Sequence, residues 1–515
     1  QLNNFGFKEV YAIDENNYRG PRDSKGMPDH DFLQQREPAK IAMFYGGMSN
    51  SIPRMFSLAQ QYKKFGTIII AGGSHVDALP EEALSSGIDV VVHGEGEYTA
   101  QEILKTIIIA KNGEIGFDYD KLIKVKGISM LDENNKAMFT GKREPIKNLN
   151  ELVDVDLDLI RFLEERWSMI PVSRGRGCNY NCEFCAVNRQ YGKYKASSPE
   201  TALKQIIKYS EKGYRDFFIT DDNFAQNVDE AMKLCKMIDD YKRKSKKKIE
   251  LTVQVRSEVA GEDKLIEAMR YAGVTNLAIG YESPINEELR AMKKGVTVEN
   301  LLERSIKLSK YFYLHGMFIF GYPQDTKPEL TLEQRAKLYE QFFKEAKIDT
   351  VQVLNAVPIP GTGLRAKLEA EGRLLPIEWD KYDGQYLCYN PGPYVDAEEL
   401  QNTPRMLMKK WYLGNAMNRS LNYGNWMNWV YNTFGFPVQY GVFYTKRFFH
   451  NLAEKREENL LSERNTFANA WGDIKRKWRN LKLKTYGGII TRKWLKAYDE
   501  SDYRKMLEGY FSKKD

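Results

Sequence analysis

Cysteine is scarce in this chain: 515 residues hold five. That is too few for a disulfide framework at this size, so a reducing, cytoplasmic setting is expected. Long apolar runs are lacking too. No stretch reaches the roughly 18 residues that span a bilayer, and no secretory leader is expected. The chain begins at Gln1 rather than methionine, and a trimmed natural start is expected. A large excess of one charge is also missing, since 77 Lys and Arg against 70 Asp and Glu leave +7. No nucleic-acid partner is expected from that balance. The run "YKRKSKKK" (241–248) falls between a helical pattern and a strand, where it reads as a solvated loop.

What is present describes a globular protein, with 42% hydrophobic and 29% charged residues. The length calls for two to four domains. From about Met169 to Ala356 short apolar runs alternate with segments whose apolar residues recur at three- and four-residue spacing. Six such units imply a parallel sheet with right-handed crossovers. Six are too few for a closed eight-stranded barrel, so an open partial (β/α)6 barrel is expected over 166–375. Chemistry in such sheets gathers at the C-terminal strand ends.

The first strand ends in "SRGRGCNYNCEFCAVNR" (173–189), which gathers three of the five cysteines. Cys178, Cys182 and Cys185 follow a C-x3-C-x2-C spacing on a loop. Three thiolates can hold three irons of a [4Fe-4S] cube and leave the fourth open. Zinc normally takes four closed ligands, and no fourth Cys or His lies nearby in sequence. With Phe184 ahead of the last cysteine, the spacing resembles the signature of the radical SAM superfamily.

That resemblance implies a [4Fe-4S] cluster chelating S-adenosyl-L-methionine (SAM). It places Asp222, Arg256, Glu282 and Ser283 at strand ends that contact SAM, with the backbone around Phe184 and Pro360 near its adenine. It further implies reductive SAM cleavage to a 5′-deoxyadenosyl radical, with electrons from an external donor of the flavodoxin or ferredoxin type.

Residues 1–125 read as a second, Rossmann-like α/β domain with glycines at its strand-to-helix turns. "GGMSNSIPRMFSLA", "AGGSHVDALPEEAL" and "HGEGE" resemble the cobalamin-binding domain of a large radical SAM subclass. By that resemblance Gly46, Gly47, Ser49, Gly72, Gly73, His75, Gly94, Glu95 and Gly96 line the corrinoid and its nucleotide tail. The chain has no D-x-H-x-x-G, so His75 is expected to touch the tail or pack rather than ligate cobalt. Residues 126–165 read as a hairpin and acidic linker. Cys235 and Cys388 read as ordinary buried thiols.

From residue 376 to 515 a mainly helical, aromatic and basic domain is expected. It could cap the barrel or lie on an anionic membrane surface, making the protein peripheral. The layout is similar to the lipid-modifying members of this subclass, the hopanoid C-methylases and archaeal tetraether-lipid ring synthases, and more distantly to the anaerobic magnesium-protoporphyrin cyclase. It implies methyl transfer to an unactivated carbon of a small, lipid-like substrate. The alternatives are radical ring closure or rearrangement without methyl transfer, and a non-catalytic iron-sulfur or corrinoid sensor. RNA methylthiolation is disfavoured, because no cysteine precedes Cys178.

Overall fold

The computed structural model describes residues 9–110, 114–162, 167–324 and 329–412. The basic aromatic segment expected to cap the barrel or meet a membrane lies almost wholly in 413–515, outside the described residues. Among the described residues, no helix is long and apolar enough to cross a membrane.

Six strands form the central sheet: β6 (Ile170–Val172), β7 (Asp216–Ile219), β8 (Glu250–Val255), β9 (Val274–Glu282), β10 (Tyr313–Phe320) and β11 (Thr350–Asn355). They lie in chain order and every neighbouring pair is parallel. Helices join them, and local chemistry sets where those helices begin. In α4 (Pro199–Glu211) the Ser198 side chain accepts from the Thr201 N–H, and proline occupies the first turn. In α5 (Val228–Ser245) Asn227 accepts from Glu230. In α8 (Leu332–Glu345) Thr331 and Gln334 close a reciprocal capping box.

Burial separates the two faces of this sheet. Phe217, Ile219, Val253, Leu277, Ile279, Phe318 and Val353 are buried in one core with helix residues such as Ile206, Leu234 and Leu265. The alternate residues Phe218, Gln254, Met317, Ile319, Gln352 and Leu354 are only half-buried. A strand reverses side with each residue, so these line the concave face. The sheet is therefore a partial barrel with an accessible interior.

The N-terminal sheet orders β1 (Ile41–Tyr45), β2 (Ile68–Gly72) and β3 (Val90–Val92) in parallel. The hairpin of β4 (Ile128–Leu131) and β5 (Ala137–Phe139) then pairs antiparallel with β3. The segment expected as a separate hairpin thus forms the far edge of this sheet. Helix α1 (Ile52–Lys63) covers one face with Ile52, Met55, Ala59 and Tyr62. Ala12–Ile13 forms a two-residue strand that pairs with Ile160–Arg161 and stands outside this sheet. Asp14 stops it by capping the turn that follows.

Candidate active site

Each cysteine sits on the loop leaving β6, at the C-terminal edge of the barrel. All three are half-buried free thiols. Gly175–Arg176 pairs antiparallel with Lys195–Ala196 to close the stem of this loop. At Gly177 the chain adopts φ +83°, and a Cβ there would lie 2.6 Å from the Lys193 carbonyl oxygen. Only glycine lets the stem strands come so close.

A buried network fixes the base of the stem. Asp221 accepts from the N–H groups of Gly175 (2.7 Å) and Arg174 (3.2 Å) and from the Tyr194 hydroxyl (3.2 Å). Its carboxylate pairs with Arg174 Nε at 3.6 Å, and both side chains are fully buried. The middle of the loop is held on two sides. Glu183 donates its N–H to Met292 O and accepts from the Leu364 N–H, each at 3.0 Å, and its carboxylate pairs with Lys293 at 2.5 Å.

Burial raises the Cys182 thiol, while the Lys294 and Arg256 cations oppose that shift. Burial likewise pushes Cys185 up to about 11, against a backbone hydrogen bond from Val187. Among the described residues no three His, Cys, Asp or Glu side chains gather tightly enough for a single metal ion. That is compatible with an iron-sulfur cube, in which each thiolate ligates a different iron and the sulfurs stand apart. Three thiols on one loop, with two cations beside the middle one, fit such a cluster.

Of the strand-end residues expected at SAM, Asp222, Arg256 and Glu282 lie beside this loop. Arg256 Nη1 lies 4.0 Å from the Cys182 sulfur. Its Nη2 donates to Glu258 (2.9 Å) and to Lys294 O (2.8 Å), while its buried Nε has no hydrogen-bond partner. Burial pushes the Asp222 carboxyl up to about 6, against a backbone hydrogen bond from Gly177. Glu282 sits at a break in the β9–β10 register with φ +64°, an unusual conformation for a buried glutamate. Lys294 holds it at 2.8 Å. Ser283 donates instead to buried Glu288 at 2.5 Å, so its hydroxyl hydrogen serves the fold. Phe184 stands edge-on to Tyr322, ring centroids 6.4 Å apart. Pro360 is buried in the turn between β11 and α9 (Gly363–Ala370).

The glycine turns expected to line a corrinoid lie at the C-terminal ends of β1, β2 and β3. Gly46 O accepts from the N–H groups of His75 (3.1 Å) and Val76 (3.2 Å). Gly73 adopts φ +122°, and its Cβ position would fall 2.6 Å from Gly47 N. Gly72 ends β2, and Gly96 begins α3 (Gly96–Leu104). The Gly94 Cβ position lies 4.0 Å from Gln190 O, just past the cysteine loop, so this domain's glycine edge faces the loop.

His75 is fully buried, with Nδ1 2.9 Å from Ser49 Oγ and Nε2 3.7 Å from Glu82. The Trp379 ring stands edge-on to it at 4.5 Å. Glu95 has both carboxylate oxygens engaged, one with Arg176 and the other with Lys195. Arg176, Lys195, Lys294 and Trp379 were not marked by any sequence motif. Only the left-handed Lys293 in "AMKKG" sits beside a local peculiarity, and that becomes visible only in three dimensions.

Three cysteines on a β6 loop, at the mouth of a six-stranded parallel partial barrel, define a radical SAM domain. Residues 172–333 match the model of the radical SAM superfamily. The chain is 30% identical over 326 residues to an uncharacterized methyltransferase of Pyrococcus horikoshii, covering 61% of this chain and 66% of that protein. It is 23% identical over 342 residues to the hopanoid C-2 methylase of Rhodopseudomonas palustris, covering 65% and 58%. The matched part is thus less than two thirds of either relative. In fold it resembles the cobalamin-dependent S-adenosylmethionine radical enzyme OxsB, whose structure holds aqua-cobalamin and S-adenosylmethionine. There the TM-score is 0.55 at 17% identity, over 94% of this chain and 76% of that one.

Proposed function

We propose that this protein is a cobalamin-dependent radical SAM enzyme that transfers a methyl group to an unactivated carbon of a small, lipid-like substrate. The observation that carries the reading is the apposition of two loop sets. The cysteine loop of the barrel faces the glycine turns of the N-terminal sheet: a Cβ on Gly94 would lie 4.0 Å from Gln190 O, and Arg189 Nη2 donates to Asp77 O at 3.3 Å. When bound, the cluster and SAM supply one-electron cleavage chemistry, and cobalamin supplies methyl transfer.

The chain's own residues would bind and orient these groups. Cys178, Cys182 and Cys185 would ligate the cluster. Arg256, with a buried unpartnered Nε, and the Glu282–Lys294 pair offer charge to the polar end of SAM. Asp222, Phe184 and Pro360 would bound the same site, and Ser283 would hold its wall through Glu288. Gly46, Gly47, Ser49, Gly72, Gly73, Gly94 and Gly96 would admit a flat macrocycle close to the backbone. His75, already held by Ser49 and covered by Trp379, would support that floor by packing. Apolar Phe218, Met317, Ile319 and Leu354 on the concave face suit a hydrocarbon substrate and limit water near a reactive carbon. Electrons would come from a flavodoxin- or ferredoxin-type donor.

The test is anaerobic incubation with methyl-deuterated SAM and candidate lipids. Deuterium in a lipid product supports the reading. Deoxyadenosine without deuterium transfer would replace it with ring closure or rearrangement.

A further inference from the structure

The stem of the cysteine loop is a two-residue ladder in which Arg176 lies opposite Lys195. Two like charges directly across a ladder repel and would open it. A carboxylate from the other domain stands between them. Arg176 Nη1 donates to Glu95 Oε1 at 3.1 Å, and Lys195 Nζ donates to Glu95 Oε2 at 2.5 Å. The partners are 81 and 100 positions away in sequence. Glu95 Oε2 also accepts from the Ile146 N–H at 2.8 Å, and Glu97 shares Arg176 at 2.7 Å. Glu95 is only 9% exposed, so water screens this arrangement little.

From this geometry we infer that Glu95 is a positioning residue. It acts as a carboxylate clamp by which the N-terminal domain holds closed the stem of the loop bearing Cys178, Cys182 and Cys185. The inference rests on the cluster reading above and assigns Glu95 a task other than contact with a corrinoid. Glu95 touches no cysteine. It acts through the stem, where the Cys178 N–H donates to Gly192 O at 3.2 Å and Gly177 leaves no slack. A stem that splays displaces Cys178 first. The clamp also ties the loop to the turn that holds Gly94 and Gly96, so the two proposed cofactor sites share one mechanical link.

The test compares the anaerobically reconstituted full chain with Glu95→Gln, which keeps the side chain's shape and an acceptor for Ile146 but removes the charge. In Glu95→Gln, loss of iron to a ferrous chelator should speed up about tenfold, and so should amide exchange over 177–194. The electron paramagnetic resonance line shape of the reduced cluster should broaden. Adding Lys195→Met to Glu95→Gln removes the surplus cation and should recover much of the iron retention and line shape, which a merely structural role would not produce. Unchanged exchange, chelator loss and line shape in Glu95→Gln would overturn the clamp. If the wild-type chain takes up no iron, the cluster reading falls, and amide exchange alone decides the clamp: equal exchange in the two proteins overturns it.

Discussion

The Arg256 guanidinium lies 4.0 Å from the Cys182 sulfur through Nη1 and stacks over the Tyr180 ring at 3.7 Å. A fixed cation beside a cluster thiolate favours the more negative, reduced state, because hydrogen bonds and net charge around the sulfurs set cluster potentials. Arg256→Gln should therefore shift the cluster's midpoint potential to more negative values, read by redox titration with spectroscopic detection. An unchanged or more positive potential would mean that the guanidinium does not act on the cluster.

Cys182 is one of the three proposed cluster ligands. On that proposal its loss leaves the cluster incomplete, so Cys182→Ala should lose SAM cleavage altogether. The variant's iron content and its deoxyadenosine yield check this directly. Sustained deoxyadenosine formation would remove Cys182 from the ligand set.

Gly73 tests the glycine floor. Its φ of +122° disfavours any side chain, and an added Cβ would meet the Gly47 nitrogen at 2.6 Å and Gly46 C at 2.7 Å. These are backbone atoms and cannot swing aside. Gly73→Ala should cost about 2 kcal/mol in stability and weaken cobalamin uptake. Gly26, where a Cβ would meet nothing within 4 Å although φ is +77°, serves as the control, since its alanine variant carries the backbone strain without the clash.

Much of the fold follows from short-range pattern. The six barrel strands are apolar runs with glycines and caps between them, so their existence and order are legible. The cysteine loop is legible for the same reason, because its three cysteines lie seven residues apart at most. The long-range partners are not. Trp379 donates to Glu82 at 2.6 Å across 297 positions and packs into the N-terminal core, yet nothing in "PIEWDKYDG" specifies that. Glu95 in "HGEGE" looks like a ligand contact because its neighbours are glycines, whereas its charge partners are 81 and 100 positions away. Glu282 owes its left-handed backbone to a register break that no periodicity encodes.

Acid stability offers an independent check on the N-terminal domain. Burial alone would raise Glu15, but hydrogen bonds from His30 and Arg54 outweigh it and hold the carboxyl at about 2. Its folded pKa lies below the unfolded value of 4.5, so the stabilisation is complete above that value and fades as pH falls toward 2. Denaturant titrations from pH 5 to 2 should show stability falling with pH, with a shallower fall in Glu15→Gln. Identical slopes in the two proteins would mean the Glu15 network contributes nothing.

In the proposed reading the two cofactor sites face each other, and bound SAM and cobalamin would pass a methyl group to the substrate. The most direct measurement quantifies iron and cobalamin on one anaerobically reconstituted sample, then follows deuterium from methyl-labelled SAM into a lipid extract. The account predicts about four irons and about one cobalamin per chain, with deuterium in a lipid product. A full cluster without cobalamin would contradict it, because the glycine turns of the N-terminal sheet would then serve another purpose.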